Sequence, residues 1–270
     1  MPQPIKWPSI IALGDQVGPA IIRHLDLSFR QMVSSNPHAF AERDYMRLIT
    51  GLDHPYGNFA VLAGNASAEV VKQTVLRLSD RNIASCVILT SPAEPALLDV
   101  LLSKGFEKHD PMPAMAVDID QLPPSHLPEG YSFQRLRLVP SQIAAWTQTF
   151  ADGFEFPLEV GELYAPAEGA GESPTSEMQY FAIAKEGRFV ATSMLHLKEG
   201  LAGIYCVATL PSERGKGLGA YATAEPLRRV RELGYGVGIL QASEAGQPVY
   251  LRLGFKEYGS LPVYVRIPKS

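Results

Sequence analysis

Gly203-Ile-Tyr-Cys-Val-Ala-Thr-Leu-Pro-Ser-Glu-Arg-Gly-Lys-Gly-Leu-Gly-Ala220 decides how this chain is read. Its first part, Gly203–Thr209, is an apolar run of strand length. Pro211 ends it, three glycines follow between Gly215 and Gly219, and helical apolar spacing begins at Leu218. Strand, Gly-rich loop and helix in that order make an anion site. Glycines let backbone approach a ligand, and the first N–H groups of a helix have no internal partner. Those donors and the positive end of the helix dipole favour a phosphate. Arg214 and Lys216 add positive charge beside them.

Outward from this stretch, the chain has 270 residues, 46% of them apolar and 19% charged. That is enough for two domains of roughly 100–150 residues, each with a real core. A net charge of −4 with no long Lys/Arg run argues against nucleic acid as the main partner. No apolar run reaches the ~20 residues that would span a bilayer, so no membrane partner is expected. The start, Met-Pro-Gln-Pro-Ile-Lys-Trp-Pro, lacks the layout of a signal peptide. Two cysteines, Cys86 and Cys206, far apart and outside any CxxC, fit a reducing compartment. A cytoplasmic protein is the expectation.

The clearest break is Leu122-Pro-Pro-Ser-His-Leu-Pro-Glu-Gly130, where three prolines preclude helix and central strand. Its two sides repeat one another. Leu101-Leu-Ser-Lys-Gly-Phe-Glu-Lys108 resembles Tyr250-Leu-Arg-Leu-Gly-Phe-Lys-Glu257, and the same offset sets Met112-Pro-Ala-Met-Ala116 on Leu261-Pro-Val-Tyr-Val265. A repeat this long suggests two copies of one domain: 1–122, a Pro-rich linker 123–129, and 130–270. In the second half, helices are expected at Pro140–Phe150, capped by Ser141, and at Leu158–Tyr164. Strands follow at Gln179–Ala184, Arg188–His196 and Gly203–Thr209, with turns at Glu186-Gly187 and Glu199-Gly200. A helix to Leu233, kinked at Pro226, a strand Tyr235–Leu240, a helix around Pro248–Leu253 and a strand Leu261–Ile267 complete it. In the first half, helices are expected at Val17–Met32 and Ala66–Leu78, and strands at Asn58–Leu62 and Ile83–Thr90. The fold class is α/β, each half a mixed, mostly antiparallel sheet flanked by helices.

Three nucleotide readings compete for the Gly-rich loop. A kinase-type P-loop requires Ser or Thr after the lysine, and Lys216 is followed by Gly217. A dinucleotide fingerprint is met literally by Gly215, Gly217 and Ala220, but Leu210–Arg214 separates strand from glycines. No acidic residue closes the next strand to hold a ribose, and too little chain remains to complete a doubly wound sheet. The third pattern, [RQ]-x-x-G-x-[GA], is met by Arg214, Gly217 and Gly219. Downstream, Ala242-Ser-Glu-Ala-Gly-Gln-Pro-Val-Tyr-Leu-Arg-Leu-Gly-Phe255 carries a Tyr-x-x-x-Gly-Phe ending. Together these resemble the acyl-CoA-binding motifs of the GNAT acetyltransferase superfamily, over about residues 130–267. The first half resembles the same fold in degenerate form. Only Leu62-Ala-Gly-Asn65 precedes its helix, with no arginine and no G-x-G, so it is expected to bind no CoA.

The resemblance implies acetyl-CoA as cosubstrate, no metal, and a primary amine of a small molecule or peptide as acceptor. It implies that Arg214, Gly215, Lys216, Gly217, Leu218, Gly219 and Ala220 cradle the pyrophosphate, mainly by backbone N–H groups. It implies that the strand through Val207, Ala208 and Thr209 splays from the next strand and pairs with the pantetheine arm. An N–H near Val207 or Ala208 would polarise the thioester carbonyl. Tyr250 takes the position of the general acid for the departing thiolate, and Ser243 a cofactor-contacting position where relatives often carry Asn. No acidic residue lies on Gly203–Thr209, so Glu155, Glu162, Glu244, His196 or a water chain remain candidates for the base. The remaining histidines (His24, His38, His54, His109, His126) have no metal-ligand spacing. Phe154, Phe156, Leu158 and Tyr164 would line the acceptor side. Homodimerisation stays open. So do a non-catalytic CoA-binding regulatory module and, lower, a dinucleotide-dependent oxidoreductase.

Overall fold

Short apolar runs bounded by Gly and Pro alternate in this sequence with helical stripes, which separate about half of them. The computed structural model, which describes residues 7–43, 45–63, 66–80, 82–92, 95–171 and 173–268, turns these runs into eleven strands and eight α-helices. In chain order they are α1 (Ile10–Leu13), α2 (Val17–Met32), β1 (Ala39–Ala41), β2 (Tyr45–Ile49), β3 (Asn58–Leu62), α3 (Ala68–Ser79), β4 (Ser85–Leu89), α4 (Pro95–Ser103) and β5 (Glu107–Asp118). They continue with β6 (Tyr131–Arg135), α5 (Pro140–Phe154), α6 (Leu158–Glu162), β7 (Met178–Lys185), β8 (Arg188–Lys198), β9 (Leu201–Thr209), α7 (Leu218–Arg231), β10 (Val237–Gln241), α8 (Gln247–Arg252) and β11 (Lys256–Arg266).

The chain divides into two compact units, each assembled from discontinuous segments. One comprises Met1–Leu25 and Pro113–Gly259, the other Asp26–Met112 and Ser260–Ser270. In the larger unit the strand order is β5-β10-β9-β8-β7-β6, antiparallel except for the β9/β10 pair. In the smaller it is β1-β2-β3-β4-β11, antiparallel except for β3/β4. Each parallel pair is bridged by a crossover helix, α7 or α3, as parallel strands require. The repeat seen in the sequence is therefore a repeat of topology, but the last strand of each unit comes from the other half of the sequence. Ala114–Asp118 pairs with β10, and Val263–Arg266 pairs with β4. The sequence places its break at the Pro-rich segment 123–129, whereas contact divides the chain inside α2, β5 and β11. Exchange of equivalent elements leaves each unit's own hydrogen-bond pattern intact.

In the larger unit the two sheet faces carry different layers. On one, Leu195, Leu197, Ala202, Ile204 and Leu240 pack under Ala224, Leu227 and Val230 of α7. On the other, α5 lies over β8 and β9, and its Trp146 indole reaches β7, donating to the Phe181 carbonyl at 3.1 Å and meeting the Tyr180 ring edge-on. Gly153 lets α5 approach β9, since a Cβ there would lie 2.8 Å from the Ala208 Cβ. In the smaller unit, Val71, Val75 and Leu78 of α3 pack on Ala60, Leu62, Val87 and Leu89.

Several local expectations need correction. The cap of α5 is Val139, with no side-chain hydrogen bond, because Pro140 rather than Ser141 opens the helix. The helix also runs on to Phe154. The final strand begins five residues earlier than expected, at Lys256. α7 ends at Arg231, two residues before the expected Leu233, with the buried Pro226 inside it. The turns at Glu186-Gly187 and Glu199-Gly200 do form, all four residues having positive φ. Strands β1, β2 and β6 were not anticipated. Gly64 and Asn65 of the first-half loop, Glu172, and residues 1–6 lie outside the described residues.

Candidate functional site

The site is built where β9 leaves β10. The two strands pair in parallel only at Gly238↔Ala202 and Ile239↔Gly203. β9 continues to Thr209, so Ile204–Thr209 runs without β10 alongside. On its other side β9 stays paired to β8, but the register shifts: Met194 faces Tyr205 and Thr192 faces Ala208. Cys206 and Val207 thus oppose the single residue Ser193, which is a β-bulge. Cys206 takes φ of +51°, a left-handed conformation unusual for a non-glycine residue. The Thr192 hydroxyl donates to the Cys206 carbonyl at 2.9 Å. Burial pushes the Cys206 thiol up to about 12, so it carries no thiolate at neutral pH and is unsuited to nucleophilic attack.

After Thr209 the chain makes a short 3-10 turn, Pro211–Glu213, and then the Gly-rich loop. Gly217, at φ 79° and ψ 3°, is the N-cap of α7 and supplies no side chain to it. The first intrahelical bond recorded at this end runs from the Tyr221 N–H to the Gly217 carbonyl. Leu218, Gly219 and Ala220 therefore open the helix with N–H groups that no side chain caps. The flanking cations are both engaged within the protein. The Arg214 guanidinium donates to the Gly153 carbonyl at 2.8 Å and pairs with Glu155 at 3.0 Å, tying the loop to the end of α5. The Lys216 ammonium lies 2.7 Å from Glu213 and 3.2 Å from the Ser212 carbonyl. Glu213 also accepts from the Tyr131 hydroxyl and lies 3.5 Å from Lys185. These partners, Lys216 first, hold its carboxyl down to about 2. Each positive side chain is matched by a carboxylate, so the attraction for an anion rests on the backbone N–H groups and the helix dipole.

Tyr250 lies on α8 and is 9% exposed, its ring 5.9 Å from that of Phe255. Apolar neighbours such as Leu253, Leu240 and Ala242 surround it, and this burial pushes its phenol up to about 12. Ser243 is exposed, and its hydroxyl accepts the Gly246 N–H at 3.2 Å, capping the turn into α8. Among the base candidates, Glu155 is the partner of Arg214, while Glu162 and Glu244 are exposed. His196 is buried beside the His24 ring, 5.0 Å away, and His24 Nδ1 is 2.8 Å from the Tyr205 hydroxyl. Burial pushes His196 down to about 4 and His24 down to about 3. Phe154 and Leu158 are each 38% exposed; Phe154 stacks on Phe156, while Tyr164 is buried against Phe150. A separate open cavity of about 460 Å³, between α5 and the turn at Gly187, holds none of these residues. Among the described residues no group of three or more His, Cys, Asp or Glu could hold a metal, and no helix is long and apolar enough to cross a membrane.

The equivalent strands of the smaller unit behave differently. β3 and β4 stay paired over four positions, from Phe59↔Cys86 to Leu62↔Leu89. No splay opens there. Thr192, the Cys206 bulge, Glu213 and the Tyr205–His24 contact were not read from the sequence. Only the first two shape the splayed strand directly. A Thr in a strand and a Cys at a bulge carry no local signature, since the residue expected at positive φ is Gly.

Residues 143–255 match the sequence profile of the Acetyltransferase (GNAT) family. No curated protein matches the sequence. Among solved structures, a GCN5-related N-acetyltransferase from Kribbella flavida aligns with a TM-score of 0.61 at 21% identity, over 93% of this chain and 96% of that one. A GCN5-related N-acetyltransferase from Sphaerobacter thermophilus aligns at 0.59 and 14% identity, over 98% and 96%. A tandem GNAT protein from the clavulanic acid biosynthesis pathway aligns at 0.54 and 13%, over 99% and 98%. The strand–loop–helix at Gly203–Ala220 and the Tyr-x-x-x-Gly-Phe segment both fall within residues 143–255, the stretch that matches the GNAT acetyltransferase family.

Proposed function

We propose that the larger unit is an acetyl-CoA-dependent N-acetyltransferase with one working site, acting on a primary amine of a small molecule or peptide. The observation that carries this reading is the parting of β9 from β10 after Gly203, directly ahead of an uncapped helix start. A pantetheine arm needs a strand edge with unpaired backbone groups, and a pyrophosphate needs unpaired N–H donors one loop further on. Both are present in that order, so the residues fit the cosubstrate. Its thioester supplies an activated acetyl group.

The protein's residues have distinct tasks. Gly215–Ala220 hold the pyrophosphate by backbone N–H groups, and Val207–Thr209 take the pantetheine arm. Arg214 acts by fixing the loop to Gly153 and Glu155, while Lys216 is held by Glu213. An N–H at Val207 or Ala208 stabilises the developing oxyanion. Tyr250 keeps its proton across the physiological range and is available as acid. A phenol near 12 is a weak donor to a thiolate whose conjugate acid has a model value of ~8.5. The same apolar surroundings that raise Tyr250 also raise the thiol, which narrows the gap. The amine loses its proton to water or to a base not assigned among Glu155, Glu162, Glu244 and His196. Ser243, whose hydroxyl accepts the Gly246 N–H in the turn ahead of α8, contributes to the cofactor side through the shape of that turn.

A CoA-binding regulatory module would share the splay and the helix start. Thiol release separates the two: acetyl-CoA is incubated with a panel of amines, amino acids and aminoglycosides. Release above background with at least one amine is expected. Binding of acetyl-CoA with no release across the panel would favour the module, and binding of NADH without competition from CoA would overturn the site itself.

A further inference from the structure

We infer that Thr192 is a positioning residue for acyl transfer: by holding the Cys206 carbonyl it locks the bulge that aims the backbone of Val207 and Ala208 at the thioester. The inference rests on the acetyl-CoA reading above and deepens it. A bulge at this place is an odd construction. Two residues, Cys206 and Val207, oppose one, and the ladder between β8 and β9 is interrupted there. The backbone of the first is in the left-handed region, where a Cβ is unfavourable and glycine is the usual occupant. Such a conformation persists only where surroundings over-determine it.

Two hydroxyls flank the bulge on β8, one on each face, since side chains alternate along a strand. Thr192 is fully buried and its hydroxyl reaches the Cys206 carbonyl at 2.9 Å. Ser193, directly opposite the bulge, has a buried hydroxyl with no partner among the described residues. Of these two hydroxyls it is therefore Thr192's that reaches the Cys206 carbonyl. Thr192 is also the cross-strand partner of Ala208. Thr192 thus holds the first residue of the bulge by its side chain and pairs by its backbone with Ala208, the residue after the bulge. Gly153 closes the same spot from α5, with its Cα placed so that a Cβ would be 3.1 Å from the Thr209 nitrogen. Held from both sides, the backbone between Cys206 and Thr209 is aimed before any ligand arrives. Preorganised donors of this kind act on the transition state rather than on binding.

Thr192→Val keeps the shape and removes the donor. Thr192→Ser keeps the donor. The readouts are acetyl-CoA affinity by calorimetry, the infrared carbonyl band of bound [1-13C]acetyl-CoA, and thiol release with the best amine of the panel. In the wild type the band is shifted below that of free acetyl-CoA. Thr192→Val is expected to return it toward the free position and to lower turnover about 10²-fold, with affinity within about threefold of wild type. Thr192→Ser is expected to keep band and rate. A Thr192→Val protein with wild-type band and rate overturns the inference. So does one that loses acetyl-CoA affinity in step with turnover, or a Thr192→Ser protein that behaves like Thr192→Val. A wild type that binds no acetyl-CoA overturns the underlying reading instead, and is seen in the first titration.

Discussion

Gly217→Asp tests whether the start of α7 holds the pyrophosphate. Gly217 sits at φ 79°, and a Cβ there would meet nothing within 4 Å. The new side chain therefore fits, and two opposing local effects remain. Left-handed backbone costs an ordinary L-residue roughly 1–2 kcal/mol, and less for Asp or Asn. An Asp at the N-cap contributes about 1 kcal/mol by accepting a first-turn N–H. Fold stability should thus stay within about 1 kcal/mol of wild type, and the thermal midpoint within about 4 °C. Binding should change far more. The carboxylate takes the N–H groups intended for phosphate and adds a like charge. Unit charges ~5 Å apart at an effective dielectric of ~20 repel by about 3 kcal/mol, which is about 10²-fold in affinity. Gly217→Asn keeps the shape and the cap without the charge. Calorimetric titration of acetyl-CoA into both variants, at roughly 0.05 and 0.5 M salt, separates the terms, since salt screens only the charge. The Asp variant should bind far more weakly than the Asn variant at low salt and recover partly at high salt. If the two bind alike, the pyrophosphate is not at this helix end.

Tyr250→Phe should lower turnover by about 10²-fold with little change in acetyl-CoA affinity; unchanged turnover removes its role as acid. Because burial holds this phenol near 12, the wild-type pH–rate profile should show no alkaline fall attributable to it below about pH 11. Titration of the full chain should saturate at one acetyl-CoA, because β3 and β4 stay zipped where β9 and β10 part; a second binding event would falsify the single-site reading. Stability should respond to acid through His24 and His196. Their folded values, about 3 and about 4, lie below the ordinary 6.5. Between those values and 6.5 the unfolded chain binds more protons, so the stability contributed by the neutral rings is complete above pH 6.5 and lost as pH falls toward 4. Denaturant midpoints at several pH values should fall less steeply for His196→Gln than for wild type, and parallel curves would contradict this.

The legible parts of this protein were those encoded over short stretches. The helix at Val17–Met32 and the strand at Asn58–Leu62 lie where the periodicity puts them. The loop at Gly215–Gly219 opens a helix at Leu218, as the glycines and the apolar spacing require. Less legible was what each charged side chain does. Arg214 and Lys216 read as spare positive charge, yet Glu155 and Glu213 neutralise them. Glu155 lies far from Arg214 in sequence and Lys216 could equally have faced solvent, so no spacing rule reveals either pair. β1, β2 and β6 escaped notice because they are short and only partly apolar, and their place at or next to a sheet edge demands no more.

By itself the sequence determined the repeat, the order of strand, loop and helix, and the place where a phosphate could be held, because these follow from backbone sterics and local periodicity. Tertiary structure alone decided which strand closes each unit. Met112-Pro-Ala-Met-Ala116 and Leu261-Pro-Val-Tyr-Val265 carry the same pattern, so local preference cannot choose between partners; only the pairing of Ala114–Asp118 with β10 and Val263–Arg266 with β4 does. It alone also decided that Cys206 is the bulged residue, and it put the parting of β9 from β10, which the family resemblance implies, just beyond Gly203. Bulge and splay are properties of a strand among its neighbours, set by hydrogen bonds between residues distant in the chain.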